Sequence, residues 1–159
     1  MLHVILVANY TLKCNPIPIE ERIRTIDVLS QFAYAQGGPN ASSFSIAIGT
    51  GENVAKIMND DTLEVTMEVS RSRSVRCLRY HPTLPILAIG DGSSCVVIED
   101  LIEESKIAEF SAGGRVNSID FSPCGDFLAV AADGIGCTLL ESLVSKNAMS
   151  SAFFLLVLS

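Results

Sequence analysis

The stretch "FSPCGDFLAVAADG", Phe121 to Gly134, decides how the chain is read. It passes from an apolar arm through the tight turn "SPCGD" into a second apolar arm and then into the turn "AADG", which is the layout of a β-hairpin. Upstream, "YHPTLPILAIGDG", Tyr80 to Gly92, has the same layout, with His81 to Pro85 in place of Ser122 to Asp126. The hairpin is repeated, so it is one unit of a larger assembly of strands.

In register, Val75, Leu78 and Tyr80 fall on Val116, Ile119 and Phe121, each 41 residues later, as Pro82, Leu87, Ala88 and Ile89 fall on Pro123, Leu128, Ala129 and Val130. The same step backwards carries Leu87, Ala88, Ile89, Gly90 and Ile98 onto Ile46, Ala47, Ile48, Gly49 and Ile57, so a third copy exists. Its opening strand matches at a step of 46, through Leu29, Phe32 and Tyr34, with five extra residues in the turn-rich "AQGGPNASS". Ile19, Ile23, Ile26 and Leu29 also suit a helix face, with Pro18 at its first turn and Glu20 and Glu21 at the positive end of its dipole. The combined expectation is a short helix ending near Thr25 and a strand from about Val28.

Each copy reads as four strands: an opening one, a buried one, a third such as "CVVIE" and a fourth such as "LEVTMEV" or "SKIAEF". Four strands per period of about 41 residues is the pattern of a β-propeller blade. Over 28–143 the sequence resembles the WD-repeat family, most strongly in "FSPCGDFLAVAADG". The pair that names the family is replaced by Glu99-Asp100 and by Leu140-Glu141, there is no tryptophan, and "SRSRS" and "SAGGR" stand where a Gly-His pair is expected.

The resemblance implies an all-β fold, a partial β-propeller of about three four-stranded antiparallel blades, with a single β-sandwich as the alternative architecture. Residues 1–27 are then an N-terminal extension with the short helix, and the repeats occupy about 28–69, 74–110 and 115–143. Residues 144–159 form an apolar tail whose "AFFLLVL" is a candidate last strand beside "CTLLE". Propellers close with about 4 to 8 blades, so three leave an open arc. Either the chain belongs to something longer or it finds its missing blades elsewhere, and alone it is expected to self-associate through its strand edges.

Composition narrows the function. At 159 residues with 48% apolar and 18% charged residues, the chain has the makings of a globular core. A net charge of -7 repels phosphate backbones and anionic lipid, which argues against nucleic-acid or membrane binding. Five scattered cysteines without a CxxC, and two histidines, give no metal set and read as reduced thiols of a cytoplasmic protein. Neither "MLHVILVANY" nor "AFFLLVL" is long enough to span a bilayer.

No GxSxG, no glycine-rich phosphate loop before a helix and no paired acids stand in the sequence, so no catalytic residue and no cofactor are assigned. Arg71 and Arg73 of "SRSRSVRCLR" fall in the connection between two copies, and Asp91 and Asp133 in turns that a propeller places on the same face. These four are the candidate partner-binding residues, since arginine recognises carboxylate and phosphate through its planar fork. The bland reading stays beside it: a solvated loop, with Arg76 and Arg79 on the outward side of a strand and the aspartates bonding their own backbone. His81 reads as a turn residue. The expected function is a noncatalytic protein–protein interaction scaffold, the alternative a phosphate- or phosphoinositide-recognising propeller using Arg71 and Arg73.

Overall fold

The computed structural model describes residues 5–6, 11–12, 21–28, 45–59, 62–134, 136–143 and 152–156. Among them every regular element is a strand. β1 (Ile5–Leu6) and β2 (Thr11–Leu12) pair as a short ladder, and the remaining twelve strands form three four-stranded antiparallel sheets in chain order. The first holds β3 (Ile23–Val28), β4 (Ser45–Thr50), β5 (Val54–Asn59) and β6 (Val65–Ser70). The second holds β7 (Val75–Tyr80), β8 (Ile86–Asp91), β9 (Cys95–Asp100) and β10 (Ser105–Ser111). The third holds β11 (Val116–Phe121), β12 (Phe127–Ala132), β13 (Gly136–Leu143) and β14 (Ala152–Leu156). A single sandwich has two sheets; among the described residues there are three four-stranded ones besides the β1–β2 ladder.

The repeat extends to backbone detail. Val28 pairs with Ile46, Tyr80 with Leu87 and Phe121 with Leu128, and each opening strand carries a register shift at the same place, at Ile23/Thr25, Val75/Cys77 and Val116/Ser118. Asn53 and Ser94 both adopt positive φ (67° and 73°) in the turn after the second strand, and Leu63 and Glu104 (60° and 49°) in the turn after the third. Left-handed backbone at Leu63, Ser94 and Glu104 is unfavourable, so its recurrence 41 positions apart reports a shared turn rather than chance.

The sheets stack face to face. Strands have a side-chain period of two, so each sheet offers two faces. Ala47, Ala55, Ile57 and Val69 of the first sheet meet Val75, Leu78, Leu87 and Ile89 of the second. Cys77, Ile86, Ala88, Val96 and Ile98, on the second sheet's other face, meet Val116, Ile119, Leu128 and Val130 of the third. β8 is buried along its whole length because both its faces are covered, and each Leu or Ile side chain taken out of water there stabilises the fold by about 1.5–3 kcal/mol. Small residues let the opening strand of the next sheet come close: a Cβ built on Gly49 would lie 2.5 Å from Val75 Cγ1, and one on Gly90 2.7 Å from Val116 Cγ1. β7 accordingly packs between β3 and β11.

Two expectations are corrected. No helix ends near Thr25. Ile23–Val28 is a strand whose residues alternate between half-buried and exposed, and β-branched Ile23, Thr25, Ile26 and Val28 suit that pleat. The first repeat therefore opens at Ile23, within the stretch assigned to the extension, and its step to β7 is 52 residues rather than 46, from Ile23 to Val75. Leu29, Phe32 and Tyr34 lie outside the described residues. Ala129, expected to be buried like Leu128 and Val130, is only half-buried, because it faces away from the second sheet and no further sheet among the described residues packs there. β14 pairs antiparallel with β13, Ala152 opposite Leu143 and Leu156 opposite Leu139.

Candidate functional site

The three opening strands β3, β7 and β11 run side by side, so equivalent positions form rows. At the end where these strands begin lie the connections and turns that carry all four candidate residues.

The structure brings Arg71 and Asp91 together and leaves Arg73 and Asp133 apart from them. Asp91, the last residue of β8, is fully buried. Its Oδ1 accepts hydrogen bonds from the Ser93 amide (2.8 Å), the Ser93 hydroxyl (2.6 Å) and the Cys95 amide (3.3 Å). Its Oδ2 meets Arg71 at 3.3 Å. Arg71 also donates to Cys95 Sγ at 3.2 Å and lies 3.7 Å from Glu109 Oε1, with 9% of its side chain exposed. Both charges are paired inside the sheet. In the first sheet Thr50 stands where Asp91 stands: its hydroxyl accepts from the Glu52 amide and donates to the Val54 carbonyl.

Arg73 and Asp133 are at the surface. Arg73 is exposed and forms no hydrogen bond or ion pair with any described residue. Asp133 is exposed, receives Arg115 at 2.9 Å and is also bonded by Asn117 Nδ2. The Asn117 bond, ahead of the Arg115 charge, holds its carboxyl below the ordinary carboxylate value. Sequence position alone had joined Asp91 and Asp133 in one role. A slip of one residue separates them, since Ala132, not Asp133, pairs with Val116 as Asp91 pairs with Val75.

The same end gathers other arginines. Arg22, Arg24 and Arg76 line a cleft of about 250 Å³ between β3 and β7. Arg76 donates through Nε to the Val116 carbonyl (3.0 Å) and through Nη2 to Asn117 Oδ1 (3.4 Å). Arg76 was read as an outward strand residue, and Arg22 and Arg24 were hidden by the helical reading of their segment. Alternation of arginine with Ile23 and Thr25 was the available signal.

At the opposite end, Asp27, Arg79, Tyr80, His81 and Asp120 border a cavity of about 310 Å³. Arg79 pairs with Asp120 (3.4 Å), and the Tyr80 amide donates to Asp27 Oδ2 (2.8 Å), so this row stitches the three sheets together. His81 is a buried turn residue. Its Nδ1 accepts from the Thr83 and Leu84 amides, which leaves the proton on Nε2 to be donated to the Gly125 carbonyl at 3.1 Å. Burial holds its pKa below the ordinary value. Gly125 has φ +81°, and any Cβ there would strike the imidazole, so glycine is required.

The thiols of Cys77 and Cys95 are both pushed up to about 11, in each case chiefly by burial, which leaves them protonated and weakly nucleophilic at neutral pH. Among the described residues no group of three His, Cys, Asp or Glu side chains is placed to hold a metal ion, and no helix is long and apolar enough to cross a membrane. No protein-family model matches the chain, and no curated protein is found similar to it.

Proposed function

We propose that the chain is an arc of propeller-type blades related to the WD-repeat pattern, and that it works as a noncatalytic scaffold holding another protein against the end that carries Arg73 and Arg115. The observation that carries the reading is the repetition of one four-stranded unit, down to the register shift in each opening strand, with β3, β7 and β11 side by side. Such stacking makes a rigid base from which connections project, and rigid display of loops is what recognition needs. Arg71, Asp91 and Ser93 form an internal brace for one turn. A cytoplasmic setting goes with the free thiols of Cys77, Cys95 and Cys124.

Exposed cations on a chain of net charge -7 favour a partner segment bearing carboxylates, by steering its approach. The phosphate reading through Arg71 and Arg73 loses its first residue to Asp91. The test is capture of proteins from a soluble extract by the full chain, by an Arg73→Glu/Arg115→Glu variant and by Arg79→Glu at the opposite end. The reading expects a protein retained by the wild type and by Arg79→Glu but lost by the double variant. Loss in Arg79→Glu instead, or retention of nothing beyond the bare matrix, contradicts it.

A further inference from the structure

We propose that the cleft bounded by Arg22, Arg24 and Arg76 binds a single phosphate group. The residues come from two sheets: Arg22 precedes β3, Arg24 lies within it, and Arg76 lies on β7 at the position equivalent to Arg24. Arg22 and Arg24 are exposed and neither makes an ion pair or a side-chain hydrogen bond with a described residue. Arg76 uses two donors on Val116 and Asn117. A guanidinium has five donors, so three remain.

Two of the nearby acids, Glu21 and Asp133, are committed elsewhere. Glu21 turns its carboxylate to Lys56 at 2.9 Å, and Asp133 is held by Asn117 and Arg115, with Arg76 acting on it only through space. Three like charges around one concavity repel, and an anion seated among them relieves that repulsion while accepting charge-assisted hydrogen bonds. A tetrahedral phosphate presents peripheral oxygens in three directions and suits forks arriving from two strands, where a planar carboxylate meets one fork. The cleft, about 250 Å³, has room for such a group. The acidity of the whole chain opposes an extended polyanion, so the charge recognised is local.

The site is independent of the scaffold reading, whose residues are Arg73 and Arg115. Its test is titration of the full chain with inorganic phosphate, and in parallel with a phosphoserine peptide and its unphosphorylated form, following the arginine Nε–H resonances by NMR. The expected result is a saturable shift at Arg24 and Arg76, weakened about tenfold or more by Arg24→Glu or Arg22→Glu, as loss of a charged hydrogen bond implies, and changed less than about twofold by Arg73→Glu. Tighter binding of the phosphopeptide identifies the phosphate as one carried on a protein; equal binding identifies free phosphate. Unfolding curves of the variants establish that they are folded. No saturation with either ligand overturns the proposal. So does equal weakening by Arg73→Glu, or sedimentation with anionic vesicles in the absence of any phosphate shift, each of which means diffuse surface attraction.

Discussion

The second and third sheets use the same arginine–aspartate pairing to opposite ends. In the second, Arg71 and Asp91 sit with 9% and 0% of their side chains exposed and close a turn against the first sheet. In the third, Arg115 and Asp133 sit at 55% and 47% in solvent. The difference follows from the stack. Asp91 lies on a strand whose two faces are both covered, whereas Asp133 lies one residue past the end of β12 in a sheet that, among the described residues, is covered on one face. Residue types that look equivalent in the sequence are a structural brace in one repeat and a surface feature in the next.

The largest expected effect separates these roles. Asp91→Ala strips Arg71 of its buried partner and orphans the amides of Ser93 and Cys95, and a broken buried pair costs about 3–5 kcal/mol. Asp133→Ala removes an exposed, solvent-screened pair and should leave the urea midpoint where it was. Equal losses would erase the distinction. Next in size is Leu128→Ala, which opens a cavity where the third sheet meets the second and should cost about 2–5 kcal/mol. A loss well under about 1 kcal/mol would mean that this interface is not packed as described.

Much of the stack was legible from the chain because the second strands of all three repeats keep their 41-residue step: Ile46, Leu87 and Leu128 each pair with the last residue of an opening strand. The first opening strand was not legible. Ile19, Ile23 and Ile26 are spaced for a helix as well as for a strand, and residues 29–44 separate β3 from its partner, so the echo fell on the wrong residues. At the candidate site, exposed Arg73 and Asp133 followed from turn chemistry. The Arg71–Asp91 pair did not, since nothing in a linear repeat says which turn lies under a neighbouring sheet.

A smaller effect concerns His81, which joins the turn of the second sheet to that of the third. Its folded pKa is lowered by burial from the ordinary 6.5, so the unfolded chain binds the proton more readily. The stability this adds is whole above 6.5 and is lost as pH falls through the lower folded value. His81→Asn should therefore unfold with a shallower pH dependence over that window than the wild type. An unchanged slope would mean that the imidazole is not held neutral between the two turns.

Sheet-on-sheet stacking itself is tested most directly by two substitutions at one repeat position. Ala88 faces the third sheet and is fully buried, while Ala129, 41 residues later, faces away from the second and is half-buried. Unfolding free energies of Ala88→Leu and Ala129→Leu, measured side by side in urea, should differ: about 1–3 kcal/mol lost for Ala88→Leu through overpacking, and within about 0.5 kcal/mol of the wild type for Ala129→Leu. Equal losses at the two positions, or a larger loss at Ala129, would contradict the stack.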